Sequence, residues 1–310
     1  MDDNNSILFY FWAHGGPENY NPMDELDTST FHDLVARAQT LFFEFPSPDL
    51  SVTAALEADI NEYLQTQRKP LRLQMAYDFQ IRNLKRLSAE FFAADLIKGT
   101  AKKVVLERTL EAPFDYLKES EKADLVFFES SLARALEARR EFLAMSEEYQ
   151  QARDRDVAKQ ICAFPETTFV LFGAGHPALA QRVAALGRPT EIHFPYPYYP
   201  CSFATQVRTK YRETGVLDQE LFLREFAEGM ACKGIDTLFG KKLSSREIDL
   251  LAHHYATSLT PNQILGFRDS LIFCKTMLSN VSYGDIFASY LQREHIAGVE
   301  EVHAELFLEY

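Results

Sequence analysis

One short segment constrains the fold more than any other part of the chain: an apolar run that stops at a glycine turn and restarts as a helix. The run Phe169–Phe172 is β-branched and aromatic, which favours a buried strand. Gly173 and Gly175 permit a tight turn, and Pro177 suits the first position of a helix. Between turn and helix lies His176. Residues at this place face the ligand crevice of an open parallel sheet, so the segment predicts an α/β fold with an imidazole at the crevice.

Two other apolar runs also end at a polar residue. Ile7–Ala13 has the length of a strand and is followed by His14, and the shorter run Leu41–Phe43 is followed by Glu44. Because the carboxyl ends of parallel strands lie at one edge of a sheet, we expect His14, Glu44 and His176 to converge. Two imidazoles and a carboxylate predict a site for a divalent metal such as Mn, Co, Zn or Fe, or a general acid/base set around a bound water.

A fourth candidate lies near the end of a long helical pattern that runs from about residue 122 to residue 163. Arg153–Asp156 is a run of alternating charge, and such runs usually form a solvated helix face. The alternative is that Arg153 turns inward and holds a carboxylate or an anionic intermediate through its planar guanidinium. The predicted catalytic residues are therefore His14, Glu44, Arg153 and His176.

The pattern as a whole predicts a mostly parallel central sheet flanked by helices, followed by an all-α C-terminal region. Val104–Leu106 and Ile192–Phe194 are the weaker strand candidates. Three prolines lie between residues 195 and 200, and proline cannot continue a central strand because it removes a ladder donor. We place the domain boundary after them. The result is an α/β core of residues 1–200 that carries the site and a helical domain or cap of residues 201–310.

The charge of the chain limits its partners. Lys and Arg number 32 and Asp and Glu number 45, so the net charge is −13. This charge repels phosphate backbones and anionic membrane surfaces, so neither nucleic acid nor a membrane is an expected partner. We expect a small-molecule or peptide substrate, and the acidic surface or the C-terminal helices could bind a protein. The first residues are acidic and polar, and the apolar run behind them is too short for a signal peptide, so a cytoplasmic location is expected.

The glycine turn admits a second interpretation. Gly173–Ala178 matches the dinucleotide fingerprint GxGxxA between a strand and a helix, and Glu191 follows eighteen residues after Gly173. This pattern predicts a dinucleotide-binding oxidoreductase-like domain. Against it, Glu191 precedes its strand, and the chain then continues into prolines and helices instead of another βαβ unit. A third hypothesis is a non-catalytic binding protein that keeps the fold.

In these motifs the chain resembles the superfamily that groups TraB/TIKI proteins, erythromycin-esterase-like enzymes and ChaN-like iron-uptake proteins. The pattern of that superfamily has a GxxH motif after the first strand, a glutamate after the second, an Arg-Asp/Asn pair near the end of a long helix and another GxxH motif after a late strand. Gly173–His176 matches the second GxxH motif, Glu44 the glutamate and Arg153–Asp154 the pair. Phe11 stands where the first motif, which ends at His14, has glycine.

The resemblance covers about residues 7–195 and implies a metal-assisted hydrolase that acts on a peptide or ester bond. It implies that the two histidines and the glutamate position a divalent metal or a water, and that Arg153 steadies the negative charge that builds up during attack. Members of the superfamily differ in substrate, and some bind haem, so the resemblance sets no substrate. The bulky Phe11 implies altered geometry on the His14 side, where catalysis could be lost while the fold and a binding pocket remain.

Overall fold

Five parallel strands form the central sheet in this computed structural model of the protein. In chain order they are β1 (Ile7–Trp12), β2 (Thr40–Phe43), β3 (Lys103–Leu106), β4 (Thr168–Gly173) and β5 (Thr190–His193). Their order across the sheet is β3-β2-β4-β1-β5, so β3 and β5 form its edges. The structure describes residues 5–12, 28–45, 47, 49–79, 89–109, 126–127, 131–173, 175–195, 201–240, 242–277 and 281–307.

Helices connect these strands and make up the C-terminal third. Up to residue 185 the described helices are α1 (Thr28–Arg37), α2 (Leu50–Thr66), α3 (Leu71–Phe79), α4 (Ala89–Leu96), α5 (Leu132–Cys162) and α6 (Pro177–Ala185). The later ones are α7 (Phe203–Thr214), α8 (Gln219–Phe239), α9 (Ser245–Ser258), α10 (Pro261–Met277), α11 (Tyr283–Arg293) and α12 (Val299–Phe307). The predicted fold class, a mostly parallel sheet with flanking helices and an all-α C-terminal region, is confirmed. Within the ranges given above, no helix has the length and apolar character needed to cross a membrane.

Two inner strands of the sheet are buried along their whole length. All residues of β1 and β4 are buried, as continuous apolar strands are when helices cover both faces of a parallel sheet. On one face, the rings of Phe9 and Phe11 stack at 5.3 Å. On the other face, Tyr10 meets Phe31 of α1 edge to face at 5.6 Å.

Helix α2 protects the edge strand β3. The side-chain amide of Asn61 accepts a hydrogen bond from the Val104 N–H and donates one to the Val104 carbonyl, both at 2.8 Å. One turn earlier on α2, Glu57 accepts a hydrogen bond from the Leu106 N–H at 2.9 Å. These side chains make the bonds that another strand would make, which blocks edge-to-edge pairing. They also fix the end of β3, where Glu107 begins the next loop.

The chain divides into two compact units. The first holds the sheet and consists of Met1–Gly15, Asn21–Phe114 and Glu148–Pro197. The second is helical in its described part and consists of Gly16–Tyr20, Asp115–Glu147 and Tyr198–Tyr310. Helix α5 supplies residues to both units, because the division falls between Glu147 and Glu148.

Two glycines bring helices α8 and α11 of the second unit close together. A Cβ atom added at Gly234 would lie 2.8 Å from Cβ of Phe287. A Cβ atom added at Gly284 would lie 2.6 Å from Cγ of Leu238. Gly229, on the same helix as Gly234, is different, because a Cβ atom there would meet nothing within 4 Å.

This difference predicts opposite effects of the same substitution. Gly234→Ala forces atoms of the core apart and should lower the free energy of unfolding by about 1–3 kcal/mol. Gly229→Ala relieves the entropic cost of an exposed helix glycine and should raise it by about 0.5–1 kcal/mol. Urea unfolding followed by circular dichroism measures both. Equal effects of the two substitutions would contradict the close contact of α8 and α11.

Candidate functional site

The guanidinium of Arg153 forms the centre of a buried polar cluster in the sheet unit. Its Nε donates a hydrogen bond to Glu107 Oε1 at 2.7 Å, and its Nη2 donates to Glu107 Oε2 at 2.6 Å and to Glu44 Oε1 at 2.7 Å. The third nitrogen, Nη1, lies 3.3 Å from Nε2 of His176. None of these four side chains is more than 8% exposed.

The positions of these residues follow from the parallel sheet. Glu44 is the residue directly after β2, and Glu107 is the residue directly after β3. His176 follows the glycine turn at the end of β4. Because neighbouring parallel strands end at the same edge, the three side chains converge there. Helix α5, which precedes β4 in the chain, brings Arg153 and Asp154 to the same edge.

Asp154 orients the imidazole of His176. Its Oδ1 lies 2.8 Å from His176 Nδ1, and Asp154 is 2% exposed. A carboxylate in this contact accepts a hydrogen bond from Nδ1–H, so the neutral ring keeps Nε2 as an acceptor. Phe172 packs against the same ring edge to face, with ring centroids 5.3 Å apart. The imidazole is therefore held in one tautomer and one orientation, with Nε2 next to Arg153.

Charge compensation keeps Arg153 cationic. Burial alone lowers the pKa of Arg153, but hydrogen bonds to Glu107 and the charges of Glu44 and Glu107 more than offset this effect. The pKa of Arg153 therefore lies above its ordinary value. Three carboxyl groups, those of Glu44, Glu107 and Asp154, surround this guanidinium and the imidazole. The guanidinium is therefore a fixed positive charge surrounded by carboxyl groups.

Glu44 also ties the glycine turn to this cluster. Its Oε2 accepts a hydrogen bond from the Gly173 N–H at 2.6 Å. In a dinucleotide site the amides of this turn would face a pyrophosphate, which here would meet the carboxylate of Glu44 instead. Glu191, the acidic residue of that fingerprint, forms an exposed ion pair with Arg37 at 2.7 Å. These contacts disfavour the dinucleotide interpretation.

The structure brings together three of the four residues predicted as catalytic. Glu44, Arg153 and His176 lie within hydrogen-bonding distance of one another or nearly so. His14, the fourth, lies outside the described residues. Of the two hypotheses for Arg153, the inward orientation is the one observed, because its guanidinium binds carboxylates.

Phe11, which stands where the resembled pattern has glycine, is a core residue. It is fully buried on β1, and its ring stacks on Phe9 at 5.3 Å and on Phe194 at 5.1 Å. Its ring contributes to this aromatic packing and makes none of the contacts of Arg153 with its carboxylate partners.

Two members of the cluster, Glu107 and Asp154, were not among the predicted site residues. Glu107 carries the same signal as Glu44, since each directly follows a short apolar run. The sequence does not predict Glu107 as a site residue because Val104–Leu106 is a weak strand candidate. In the sequence, Asp154 stands out only as half of the Arg-Asp pair, and its contact with His176 depends on a distance that no local pattern contains.

In the described part of the predicted metal site, the guanidinium of Arg153 contacts both candidate ligand atoms. No group of three His, Cys, Asp or Glu side chains within the described ranges is arranged to hold a metal. Glu44 Oε1 and His176 Nε2 lie 3.6 Å apart, but Arg153 contacts both atoms and brings a positive charge there. Because His14 lies outside the described residues, the ligand set His14, Glu44 and His176 stays a prediction.

Comparisons with known proteins leave the family open. No protein-family model matches the chain, and no curated protein and no solved structure matches it. The resemblance to the TraB/TIKI, erythromycin-esterase-like and ChaN-like superfamily therefore stays a prediction that rests on the motif residues alone.

Removing a carboxylate partner of Arg153 should lower the free energy of unfolding far more than removing an exposed ion pair. Glu107→Gln leaves the buried guanidinium short of a charge partner, and we expect the free energy of unfolding to fall by about 3–5 kcal/mol. Glu191→Gln removes the exposed pair with Arg37, and we expect a loss of at most about 1 kcal/mol. Urea unfolding at pH 7 compares the two. Similar losses in both variants would contradict the assigned role of Glu107.

Proposed function

We propose that the protein is a hydrolase that cleaves an ester or amide bond, with His176 as the general base. The observation that carries this proposal is the buried contact of 2.8 Å between Asp154 and His176 Nδ1, with Nε2 left beside Arg153. A carboxylate that orients an imidazole while the far nitrogen moves a proton is the arrangement used in Ser-His-Asp hydrolases. In this proposal the nucleophile is a water molecule.

The proposed hydrolysis proceeds through one tetrahedral intermediate. A water oxygen attacks the carbonyl carbon of the substrate while one water proton passes to His176 Nε2. A tetrahedral oxyanion forms, and its negative charge is stabilised by Arg153, whose Nη1 lies 3.3 Å from Nε2. The carbon–oxygen or carbon–nitrogen bond then breaks, and Nε2 returns the proton to the leaving atom. The products are an acid and an alcohol or amine.

Arg153 has one donor left for this task. Of its five N–H groups, three donate to Glu107 and Glu44, and one faces His176 Nε2. The second N–H of Nη1 has no partner in the part of the chain that the structure describes. Glu44 and Glu107 act as positioning residues, because they hold the guanidinium in place before a substrate binds.

Asp154→Asn tests the role of the Asp154–His176 pair. The amide would favour the wrong tautomer of His176, so kcat/KM should fall by about 10²–10⁴-fold for the probes 4-nitrophenyl acetate and 4-nitroacetanilide. Asp156→Asn is the matched control, because Asp156 lies on the same helix but is 64% exposed. Thermal unfolding verifies that both variants fold. A folded Asp154→Asn variant with the kcat/KM of the unsubstituted protein would contradict the proposal, and no turnover in any protein would favour a non-catalytic binding protein.

Metal-assisted hydrolysis with the ligands His14, Glu44 and His176 is the second candidate. The observation that favours it is the 3.6 Å between Glu44 Oε1 and His176 Nε2. Metal–ligand bonds of about 2.1 Å place two ligands of a tetrahedral ion about 3.4 Å apart, which is a similar spacing.

Metal content separates the two candidates. The protein is purified without a metal-binding tag, and bound transition metals are measured by mass spectrometry before and after chelation. Near-stoichiometric metal that is absent from a His14→Ala/His176→Ala double variant, with activity lost on chelation, supports the metal-assisted candidate. Full activity in the chelated protein supports metal-independent hydrolysis by His176 and Asp154.

A further inference from the structure

A cavity in the second unit lies between three helices and has mainly apolar walls. Its volume is about 540 Å³, which falls in the range of about 300–1,000 Å³ that is usual for small-molecule sites. The end of α8, the second half of α11 and the first turn of α12 form its walls, together with the residues that connect α11 to α12. Its larger apolar lining residues are Leu238, Phe239, Leu291, Ile296 and Val299.

Hydrogen bonds fix the segment between α11 and α12 that lines this cavity. The Ile296 N–H donates to the Leu291 carbonyl at 2.9 Å. The Tyr255 hydroxyl donates to the Ala297 carbonyl at 2.9 Å, and Tyr255 is itself buried in the core. The cavity is therefore formed before a ligand enters it, which lowers the conformational cost of binding.

The charge at the cavity is negative. In the described part of the chain, the charged residues that line it are Glu300 and Glu301, and neither carboxylate has an ion-pair partner there. The arginine closest in sequence, Arg293, pairs with Glu294 instead. Burial raises the pKa of Tyr255, and the charge of Glu301 raises it further, so this carboxylate acts on the core side of α12. An acidic first turn also favours a helix through its dipole, but the dipole does not account for the apolar cavity beside it.

We propose that this cavity binds a small amphiphilic organic cation. The apolar body of the ligand packs against Leu238, Leu291 and Val299, and its ammonium group lies beside Glu300 and Glu301. A neutral amphiphile gains only the apolar contacts, whereas the two carboxylates and the net charge of −13 repel an anionic one. This site shares no residue with the cluster around Arg153, so the inference does not rest on the proposed hydrolysis.

Three probes with the same chain and different head groups test the proposal. These are n-octylammonium, 1-octanol and octanoate, and their binding is followed by NMR titration of labelled Leu and Val methyl groups. At low salt the protein should bind octylammonium about three- to tenfold more tightly than octanol, as two partly exposed charge contacts allow, and octanoate most weakly. The shifted methyl groups should include those of Leu238, Leu291 and Val299. High salt should reduce the preference for the ammonium group.

A matched pair of double variants separates local charge from the net charge of the protein. Glu300→Gln/Glu301→Gln should abolish the preference for octylammonium and leave the affinity for octanol unchanged. Glu137→Gln/Glu141→Gln removes the same number of charges from exposed positions of α5 and should retain the preference. A preference that survives in the first variant, or that is lost equally in both, would overturn the assignment to Glu300 and Glu301.

Filling the cavity tests where the apolar body binds. A Cβ atom added at Gly298, which lines the cavity, would meet nothing within 4 Å, so Gly298→Leu occupies cavity space without a clash. This variant should bind all three probes at least tenfold more weakly. Gly229→Leu is the control, because Gly229 is equally open but does not line the cavity. Thermal unfolding verifies that both variants fold. A folded Gly298→Leu variant that binds octanol as tightly as the unsubstituted protein would overturn the proposal.

Discussion

The buried cation of Arg153 is the interaction on which the rest of the site depends. A guanidinium cannot be removed from water without charged partners, and here Glu44 and Glu107 supply them from the ends of two neighbouring strands. Glu44 reaches further, to the Gly173 N–H, and so fixes the turn that delivers His176. One network of hydrogen bonds therefore sets the relative positions of β2, β3, β4 and α5 within the sheet unit.

The proposed hydrolysis depends on the same network that stabilises this part of the fold. The carboxylates that neutralise Arg153 also orient it, which leaves one N–H beside the imidazole, and the proposed hydrolysis uses this N–H to stabilise a developing negative charge. Asp154 follows Arg153 directly on α5, so the helix that carries the cation also carries the partner of His176. Any change that shifts α5 along the sheet edge alters both contacts at once.

The sequence predicted the sheet well because its signal is local. Apolar runs that end at a histidine, a carboxylate or a glycine identify β1, β2 and β4, and the residues after two of them, Glu44 and His176, meet as expected. Glu107 is harder to predict because β3 begins with an exposed lysine and its apolar run, Val104–Leu106, lies among helical patterns.

The charge run on α5 shows why a local pattern was ambiguous. Alternating charges predicted a solvated face, yet Arg153 and Asp154 are buried while Arg155 and Asp156 are exposed. A rotation of about 100° per residue places two neighbouring residues inward and the next two outward. One run of charged residues therefore contains both a buried pair and an exposed pair. Which pair faces the sheet depends on carboxylates more than 40 residues away in sequence, such as Glu107 and Glu44.

In the proposed hydrolysis, Asp154 holds His176 with its proton on Nδ1, so that Nε2, beside Arg153, is unprotonated and acts as the base. Nitrogen-15 NMR of the labelled imidazole measures this directly, because protonated and unprotonated ring nitrogens have different chemical shifts. We expect the neutral ring of His176 to carry its proton on Nδ1, and we expect Asp154→Asn to disturb this preference. A proton on Nε2 in the neutral ring of the unsubstituted protein would contradict it.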